Sequence, residues 1–329
     1  MKHRVAVLPF VVLCLTAGGC DLVSDGSNSR APSAGFSNEP GPILFFTGGA
    51  GASGLYSMNP DGSDVRLLAS DELEGFWNPR WSPDGGRIVM QVERHKSTEP
   101  HAPSLRFLRF VSSTGQDVYD CQLTGSAHLV WRADSRTVLS GTGGTEEAGE
   151  LIDAESCAAT SFELSGNVPR TEFTDWSKPG LQLLGATTYT VRDDAGDLVS
   201  RTTRMTVWTE DGDSLFSVGR VGERYQGAKW SNGGDYIAVG IVRGKDQSVY
   251  RMAPDGSHQV QLTGYEFYFA EPVAWSADDN RILVHAKTRP GSGRLSQSRI
   301  LLVDANGEGI ADVSPFPNQN NVPTSWRTN

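Results

Sequence analysis

Residues 81–90 read WSPDGGRIVM, which is a tryptophan, a tight polar turn and a short apolar run. Tryptophans recur from position 81 to position 326 at intervals of 45 to 54 residues, and five of the six open a similar phrase. Two strands joined by a tight turn form a β-hairpin. Further hairpins at 55–68 and 249–262 bring each repeat to four strands. Four short antiparallel strands per repeat predict an all-β fold, a β-propeller.

The two ends of the chain determine the predicted number of blades. Residues 43–46 (ILFF) match the second strand of a repeat, and residues 322–326 (VPTSW) match the first. The two partial repeats complete each other, so the sequence predicts six four-stranded blades with the N- and C-terminal strands sharing one blade. This closure leaves no unpaired sheet edge at the junction.

The repeated tryptophans are candidates for the core between blades. An indole buries roughly 200 Å² of surface, so six at equivalent positions would form a ring of core contacts. Their spacing follows the repeat and not a groove, which favours packing over the alternative of a ligand-stacking set. These repeat-core residues are Trp81, Trp131, Trp176, Trp230, Trp275 and Trp326.

Composition excludes several classes of protein. The 329 residues include 37 glycines and 17 prolines, which are costly inside helices and argue against a helical bundle. The net charge of −10 disfavours a nucleic-acid partner, because nucleic-acid-binding surfaces are basic. We expect a monomer.

The first 20 residues have the pattern of an export signal. A basic start precedes an apolar core too short to span a membrane, and the segment ends Ala-Gly-Gly-Cys20. This ending resembles a bacterial lipoprotein signal, in which the cysteine is lipidated, although Ala17 stands where that family usually has Leu. The alternative is ordinary cleavage with Cys20 as a free thiol. The resemblance implies a signal peptide at 1–19 and a lipid-anchored protein of the cell envelope, in the periplasm or on the cell surface.

The segment that follows predicts a disordered tether. Residues 20–41 hold Cys20 and a run rich in Ser, Gly, Asn and Pro with few bulky apolar residues. The predicted propeller then occupies 42–329, and the lipid would be its sole contact with the membrane.

The turn phrases also carry a resemblance to a known family. Trp81-Ser-Pro-Asp-Gly85, Asn59-Pro-Asp-Gly62 and Pro254-Asp-Gly256 are similar to the repeats of TolB-like six-bladed β-propellers, over about residues 43–328. TolB proper carries an α/β domain ahead of its propeller, and here a tether stands in that place, so the resemblance is to the repeat family and not to TolB itself. It implies a periplasmic or surface binding scaffold. Propellers of this repeat also serve as peptidase gates and lyase bodies.

Motifs for catalysis, metals and cofactors are missing or explained otherwise. There is no Gly-x-Ser-x-Gly nucleophile motif, and no histidine pair has zinc-site spacing. Gly49–Gly54 fits a dinucleotide fingerprint but is followed by a strand, and 304–309 lacks the closing Glu of a calcium loop. His95 and His101 fall in a polar loop predicted at 93–104, and His285 is interpreted as a core residue. We therefore expect no catalytic residue, metal or cofactor.

Two cysteines remain in the predicted propeller. Cys121 and Cys157 belong to successive repeats, near their outer strands. A disulfide needs Cα atoms within about 7 Å, which sequence does not reveal, so a bond and two separate buried thiols stay open.

The residues that precede the inner strands are candidates for function. Inner strands converge on a central channel, and loops at its mouth are free to vary. The mixture of aromatic and charged side chains there favours an envelope protein or peptide as partner, with plain solvated loop residues as the alternative reading. A second alternative is a carbohydrate-active enzyme, such as a propeller-type polysaccharide lyase using His128. The partner-binding candidates are Trp77, His128, Glu172, Arg224, Gln226 and Glu271.

Overall fold

The structure is a computed structural model. It describes residues 43–48, 54–69, 74–95, 104–113, 118–122, 128–141, 149–166, 168–179, 181–264, 267–288, 297–316 and 319–327. The predicted signal peptide, Cys20 and the tether at 20–41 lie outside the described residues. Within the described ranges, no helix is long and apolar enough to cross a bilayer.

Twenty-four strands form six sheets among the described residues. The first blade contains β24 (Asn320–Trp326), β1 (Ile43–Gly48), β2 (Gly54–Met58) and β3 (Arg66–Ala69). The second contains β4 (Glu74–Trp81), β5 (Arg87–His95), β6 (Ser104–Ser112) and β7 (Val118–Gln122), and the third β8 (His128–Trp131), β9 (Thr137–Gly141), β10 (Gly149–Asp153) and β11 (Ala159–Phe162). The fourth contains β12 (Thr171–Trp176), β13 (Leu183–Arg192), β14 (Leu198–Trp208) and β15 (Ser214–Val218). The fifth contains β16 (Glu223–Trp230), β17 (Ile237–Arg243), β18 (Asp246–Met252) and β19 (Val260–Gln261), and the sixth β20 (Phe267–Trp275), β21 (Arg281–Thr288), β22 (Ser298–Asp304) and β23 (Ile310–Asp312).

The predicted fold class and its closure are confirmed. Each sheet has four antiparallel strands, and the first blade has the order β24-β1-β2-β3. The last strand pairs with the first along its length, from Ile43 opposite Trp326 to Gly48 opposite Asn320. The ring is therefore closed by hydrogen bonds between the two ends of the propeller.

A serine after the repeated tryptophan fixes the turn in four blades. The hydroxyls of Ser82, Ser177, Ser231 and Ser276 each accept a backbone N–H from five residues further on, at 2.9–3.0 Å. Where the full phrase is present, Ser82 also donates to Asp84 at 2.6 Å. The fourth, fifth and sixth blades lack Pro-Asp-Gly but keep the serine bond, which explains why these degenerate repeats still form the same hairpin. In the third blade, which has Arg132 in place of the serine, the Asp134 carboxylate accepts the Thr137 N–H at 2.8 Å.

The six tryptophans are buried, with relative exposures of 3 to 8%. Trp131 shows how they pack, since it joins Val89 and Leu108 of the preceding blade in one apolar cluster. Its indole N–H donates to the carbonyl of Arg80 at 3.1 Å, and the indole of Trp275 donates to the carbonyl of Lys229 at 3.0 Å. These side chains fasten neighbouring inner strands together.

One predicted loop is shorter than expected. The polar loop predicted at 93–104 is partly strand, because β5 continues to His95 and β6 begins at Ser104, with Glu93 opposite Arg106. The ends of this hairpin are polar because they project past the core, so the apolar alternation that marks a strand stops before the strand does. His101 lies outside the described residues.

The two cysteines whose pairing the sequence leaves open form a disulfide in the structure. Cys121 lies on the outer strand β7, and Cys157 lies in the turn between β10 and β11. Their Cα atoms are 5.4 Å apart in a disulfide with a sequence separation of 36. The bond ties the outer edge of the second blade to the third.

Candidate functional site

The inner strands of the six blades run in one direction and enclose a central channel. They are β4, β8, β12, β16, β20 and β24. We call the face where they begin the mouth, and the face where they end, at the repeated tryptophans and the tight turns, the turn face. From Trp77 to Trp81 the channel wall is roughly 14 Å deep at the rise of an antiparallel strand.

Four of the predicted site residues hold the same place in their repeats, four residues before the tryptophan. They are Trp77, Glu172, Gln226 and Glu271. The carboxyl of Glu271 is deep enough for burial to raise its pKa, an effect that Lys229 and Arg80 oppose and Glu172 reinforces. The carboxylates of Glu172 and Glu271, from the fourth and sixth blades, are therefore close enough for their charges to interact.

His128 belongs to the same electrostatic cluster. It lies at the start of β8 with surface open to the channel, yet the blades around it lower the pKa of its imidazole by desolvation. The Glu172 carboxylate opposes that shift, whereas Arg80 and Lys229 add to it. The imidazole is consequently biased toward its neutral form beside a carboxylate.

Trp77 is a large, exposed aromatic side chain at the mouth. It is 44% exposed although the other large aromatics of β4 and its neighbours are largely covered. Its ring lies on the backbone of Gly75, where a Cβ atom would overlap the ring carbons. The missing side chain at Gly75 leaves room for the exposed indole against its own strand, and this contact reduces the freedom that the Trp77 side chain would lose on binding.

Arg224 is less integrated into this cluster. It is exposed near the start of β16, and its side chain makes no hydrogen bond or ion pair with any other residue that the structure describes. The structure therefore places it on the rim and gives no contact that orients it toward the channel.

Bulges in the inner strands bring a second tier of residues into the channel. The strand register shifts between Trp77 and Arg80, between Phe173 and Asp175, and between Gln226 and Lys229. An extra residue in one strand of a pair redirects the side chains beyond it. Arg80, Asp175 and Lys229, each directly before a repeated tryptophan, consequently face the cavity at the turn-face end of the channel.

These three charged groups are held in an environment that disfavours charge. Burial raises the pKa of Asp175 and lowers the pKa of Arg80, and it lowers the pKa of Lys229 to about 8. Each side chain keeps some surface open to the channel space. Asp175 accepts the backbone N–H of Trp230 at 2.7 Å, and Lys229 donates to the carbonyl of Thr174.

A glycine seats Glu271 between the two tiers. Gly227 has a φ of +60°, and a Cβ atom there would overlap the Glu271 side chain. Any other residue at this position would have to adopt a left-handed backbone and would displace the carboxylate. The sequence does not predict the second tier or this seat, because the predicted site residues lie three to six positions before each tryptophan. The available signal was the residue directly before it, which is charged in three of six repeats.

The described part of the chain contains no group of three or more His, Cys, Asp or Glu side chains that could hold a metal ion.

His285, interpreted from sequence as a core residue, packs edge-on against Phe269 with a ring-centroid distance of 5.0 Å. Its buried Nε2 has no hydrogen-bond partner in the described ranges, and burial lowers its pKa to about 4.

Comparisons with known proteins agree with the fold. No family model matches the chain, and no curated protein matches it significantly. TolB from Acinetobacter baumannii superposes with a TM-score of 0.63 at 16% identity, over 88% of this chain and 68% of that one. A TolB structure from Agrobacterium tumefaciens gives 0.57 at 15% identity, over 87% and 98%, and a Nidogen/Laminin complex gives 0.55 at 8% identity, over 88% and 98%. The resemblance carried by the Pro-Asp-Gly turns is thus confirmed at the level of architecture: this chain has the TolB-like six-bladed propeller fold.

Proposed function

We propose that this protein is a membrane-tethered, extracytoplasmic binding scaffold that takes a protein or peptide partner at the channel mouth. The observation that carries the proposal is the mouth itself, where an exposed indole and carboxylates of other blades occupy equivalent positions on the inner strands. A partly exposed tryptophan whose ring rests against its own strand, as Trp77 rests against Gly75, is the kind of side chain that dominates binding energy at protein interfaces.

A long hairpin next to the mouth favours a polypeptide partner. Strand β13 pairs with the inner strand only as far as Thr187, yet it continues with β14 to Arg192. Along this extension no other described strand pairs with either edge, and Val191 and Val199 are 53% and 62% exposed. Unpaired strand edges bind extended polypeptides by adding a strand.

The place where the chain enters the propeller suits a tether. Ile43 is opposite Trp326, so the chain enters on the turn face. A lipid on Cys20, joined through the segment 20–41, would then hold the turn face toward the membrane and leave the mouth facing away from it. Replacing Cys20 with Ser should release the protein from the membrane fraction and abolish uptake of labelled fatty acid; retention of both would contradict the anchor.

Photo-crosslinking tests the mouth. A photoreactive residue in place of Arg224 should capture a discrete polypeptide in the native envelope, whereas the same residue in place of Leu215 on the outer strand β15 should not. With that partner purified, Trp77→Ala and Arg224→Ala should each weaken binding by about 1–3 kcal/mol, and Leu215→Ala should leave it unchanged. Equal crosslinking at both positions would refute the mouth as the binding site.

A second candidate function, a polysaccharide lyase, is favoured by one observation. His128 is biased toward the neutral form beside Glu172, as a general base requires. If the protein were such an enzyme, the purified chain would cleave uronate polymers, and His128→Ala would abolish turnover without unfolding the protein. Product formation lost in that variant would replace the scaffold proposal.

A further inference from the structure

A cavity of about 130 Å³ lies at the turn-face end of the channel. All six inner strands contribute to it, and so do turn residues such as Ser82 and Ser231, which follow the inner strands. The predicted mouth residues are not part of its lining. It is therefore a separate concavity, reached at the face opposite to the mouth.

The lining of this cavity is cationic in an acidic protein. Arg80, Lys178 and Lys229 contribute positive charge, whereas Asp175 is the one carboxylate among the lining residues. The chain as a whole carries a net charge of −10. Lys178 is engaged at the rim, where its ammonium donates to the Asn232 side chain at 3.0 Å. A local excess of cations against the sign of the whole molecule points to an anion.

The two inner cations lack counter-ions at contact distance. Among the residues that the structure describes, none forms a hydrogen bond or an ion pair with the Arg80 guanidinium, and its Nε is buried without a partner. Lys229 donates to the Thr174 carbonyl and forms no ion pair with a described carboxylate. Glu271 and Asp175 act on these cations only through longer-range electrostatics.

The unmatched polar atoms of the lining are all donors. Besides the Arg80 Nε, they include the indole N–H groups of Trp176, Trp230 and Trp326. These indoles are buried between blades, like those of Trp131 and Trp275, so a ligand in the cavity would meet the Arg80 side chain and not the indole N–H groups. Burying a charged donor without an acceptor is costly, so the guanidinium of Arg80 selects a ligand with oxygen acceptors and negative charge.

We propose that the turn-face cavity binds a carboxylate group, with the Arg80 guanidinium as its principal partner and Lys229 as the second cation. The planar fork of an arginine matches the two oxygens of a carboxylate. The charge of Asp175 in the same lining disfavours a dianion such as phosphate. The carboxylate belongs either to a small free acid or to a polypeptide, and the two sources share this chemistry. The site does not depend on the proposed function of the mouth.

Titrating the full chain with propionate, at constant ionic strength, tests the proposal. The six repeated tryptophans line the cavity, so binding should give a saturable change in their fluorescence and a matching calorimetric isotherm. Propionamide, which has nearly the same shape without the charge, should give neither. Arg80→Gln should weaken propionate binding at least about tenfold, and Arg66→Gln, which removes an exposed arginine paired with Asp64, should leave it unchanged.

The source of the carboxylate is distinguished by tetraglycine with a free or an amidated C-terminus. Binding of the free form alone, tighter than propionate, assigns the site to a polypeptide carboxylate. Binding of propionate without tetraglycine assigns it to a small acid. Trp77→Ala should leave both unaffected, so failure of the mouth proposal would not be mistaken for failure of this one.

Several results would overturn the carboxylate site. These are no saturable signal with either acid, equal affinity for the amides, or unchanged affinity in a folded Arg80→Gln variant. Should that variant not fold, Lys229→Gln and the wild-type pH profile replace it. Lys229, which Arg80, Asp175 and Glu271 face, has a pKa lowered to about 8 by burial, so affinity should fall between pH 7 and pH 9. Affinity that is flat over this range and unchanged in Lys229→Gln would refute the proposal.

Discussion

Removing the closing strand should destroy the propeller as a cooperative unit. Deletion of residues 320–329 strips β24 from the first blade and leaves β1 with an open edge. It also removes Trp326, which is 4% exposed and packs against Leu283 and Ile300 of the sixth blade. The perturbation therefore opens the ring both within a sheet and between two blades.

The size of the effect follows from what the strand buries. An indole that removes roughly 200 Å² from water contributes about 5 kcal/mol at 25 cal/mol per Å². The Thr324 hydroxyl donates to the Leu44 carbonyl at 3.1 Å, and the Ser325 hydroxyl accepts the backbone N–H of Trp81 at 3.0 Å. Each of these hydrogen bonds contributes about 1 kcal/mol. Domains are stable by about 5–15 kcal/mol in total, so the loss is comparable with the whole.

Urea denaturation followed by tryptophan fluorescence and circular dichroism measures the change. We expect the deletion variant to lose its cooperative transition and Trp326→Ala to lose about 3–5 kcal/mol of unfolding free energy. A circular permutant that begins at Gln319, joins Arg327 to Ile43 through a short linker and ends at Phe316 is the control, because Ile43 and Trp326 are already paired. It should unfold like the wild type. A deletion variant with an unchanged midpoint would refute the closure argument.

Three further predictions concern other parts of the ring. Cys121→Ser should lower the unfolding free energy by about 4 kcal/mol in the chain-entropy model for a loop of 36 residues, and reductant should have the same effect on the wild type in urea titrations. Burial lowers the pKa of His285 to about 4, against about 6.5 in the unfolded chain, so the unfolded state binds more protons between these pH values. The unfolding free energy should therefore fall by up to about 3 kcal/mol as the pH drops from 6.5 to 4. The unfolding free energy of His285→Leu should fall less than that of the wild type over this range, and an equal fall would contradict the assignment. Gly227→Ala should cost more stability than Gly244→Ala, which has a similar φ of +65° but open space around it, and equal midpoints would show that Glu271 is not displaced.

The fold could be predicted because its signals are local and repeated. The serine that follows most of the tryptophans sets the turn through its own hydrogen bond, so one short phrase specifies a hairpin wherever it occurs. Repetition then fixes the number of blades, and the unmatched half-repeats at 43–46 and 322–326 specify the closure. Strand ends that leave the core, such as Glu93 to His95, carry no apolar pattern, so the sequence predicts a loop where the structure has a strand.

The candidate site was predicted only in part, because its depth depends on bulges. A bulge changes which side of the strand a residue faces. Pro79 before Arg80 and Gly227 before Lys229 are residue types found at bulges, but neither specifies which side chains turn into the channel. Whether Cys121 reaches Cys157 likewise depends on how two blades are set side by side, which is a distance between repeats and not a property of either one.

The pairing of Ile43 with Trp326 also has a mechanical consequence. Both ends of the propeller lie at the same end of the β1–β24 ladder, whose hydrogen bonds run across the strands. Tension applied between these two residues loads the bonds one pair at a time, from Ile43 toward Gly48, as in a zipper. The first blade would thus open under a small force applied to its two ends. In each of the other blades a covalent turn joins the two innermost strands, so the same force cannot separate them in this way.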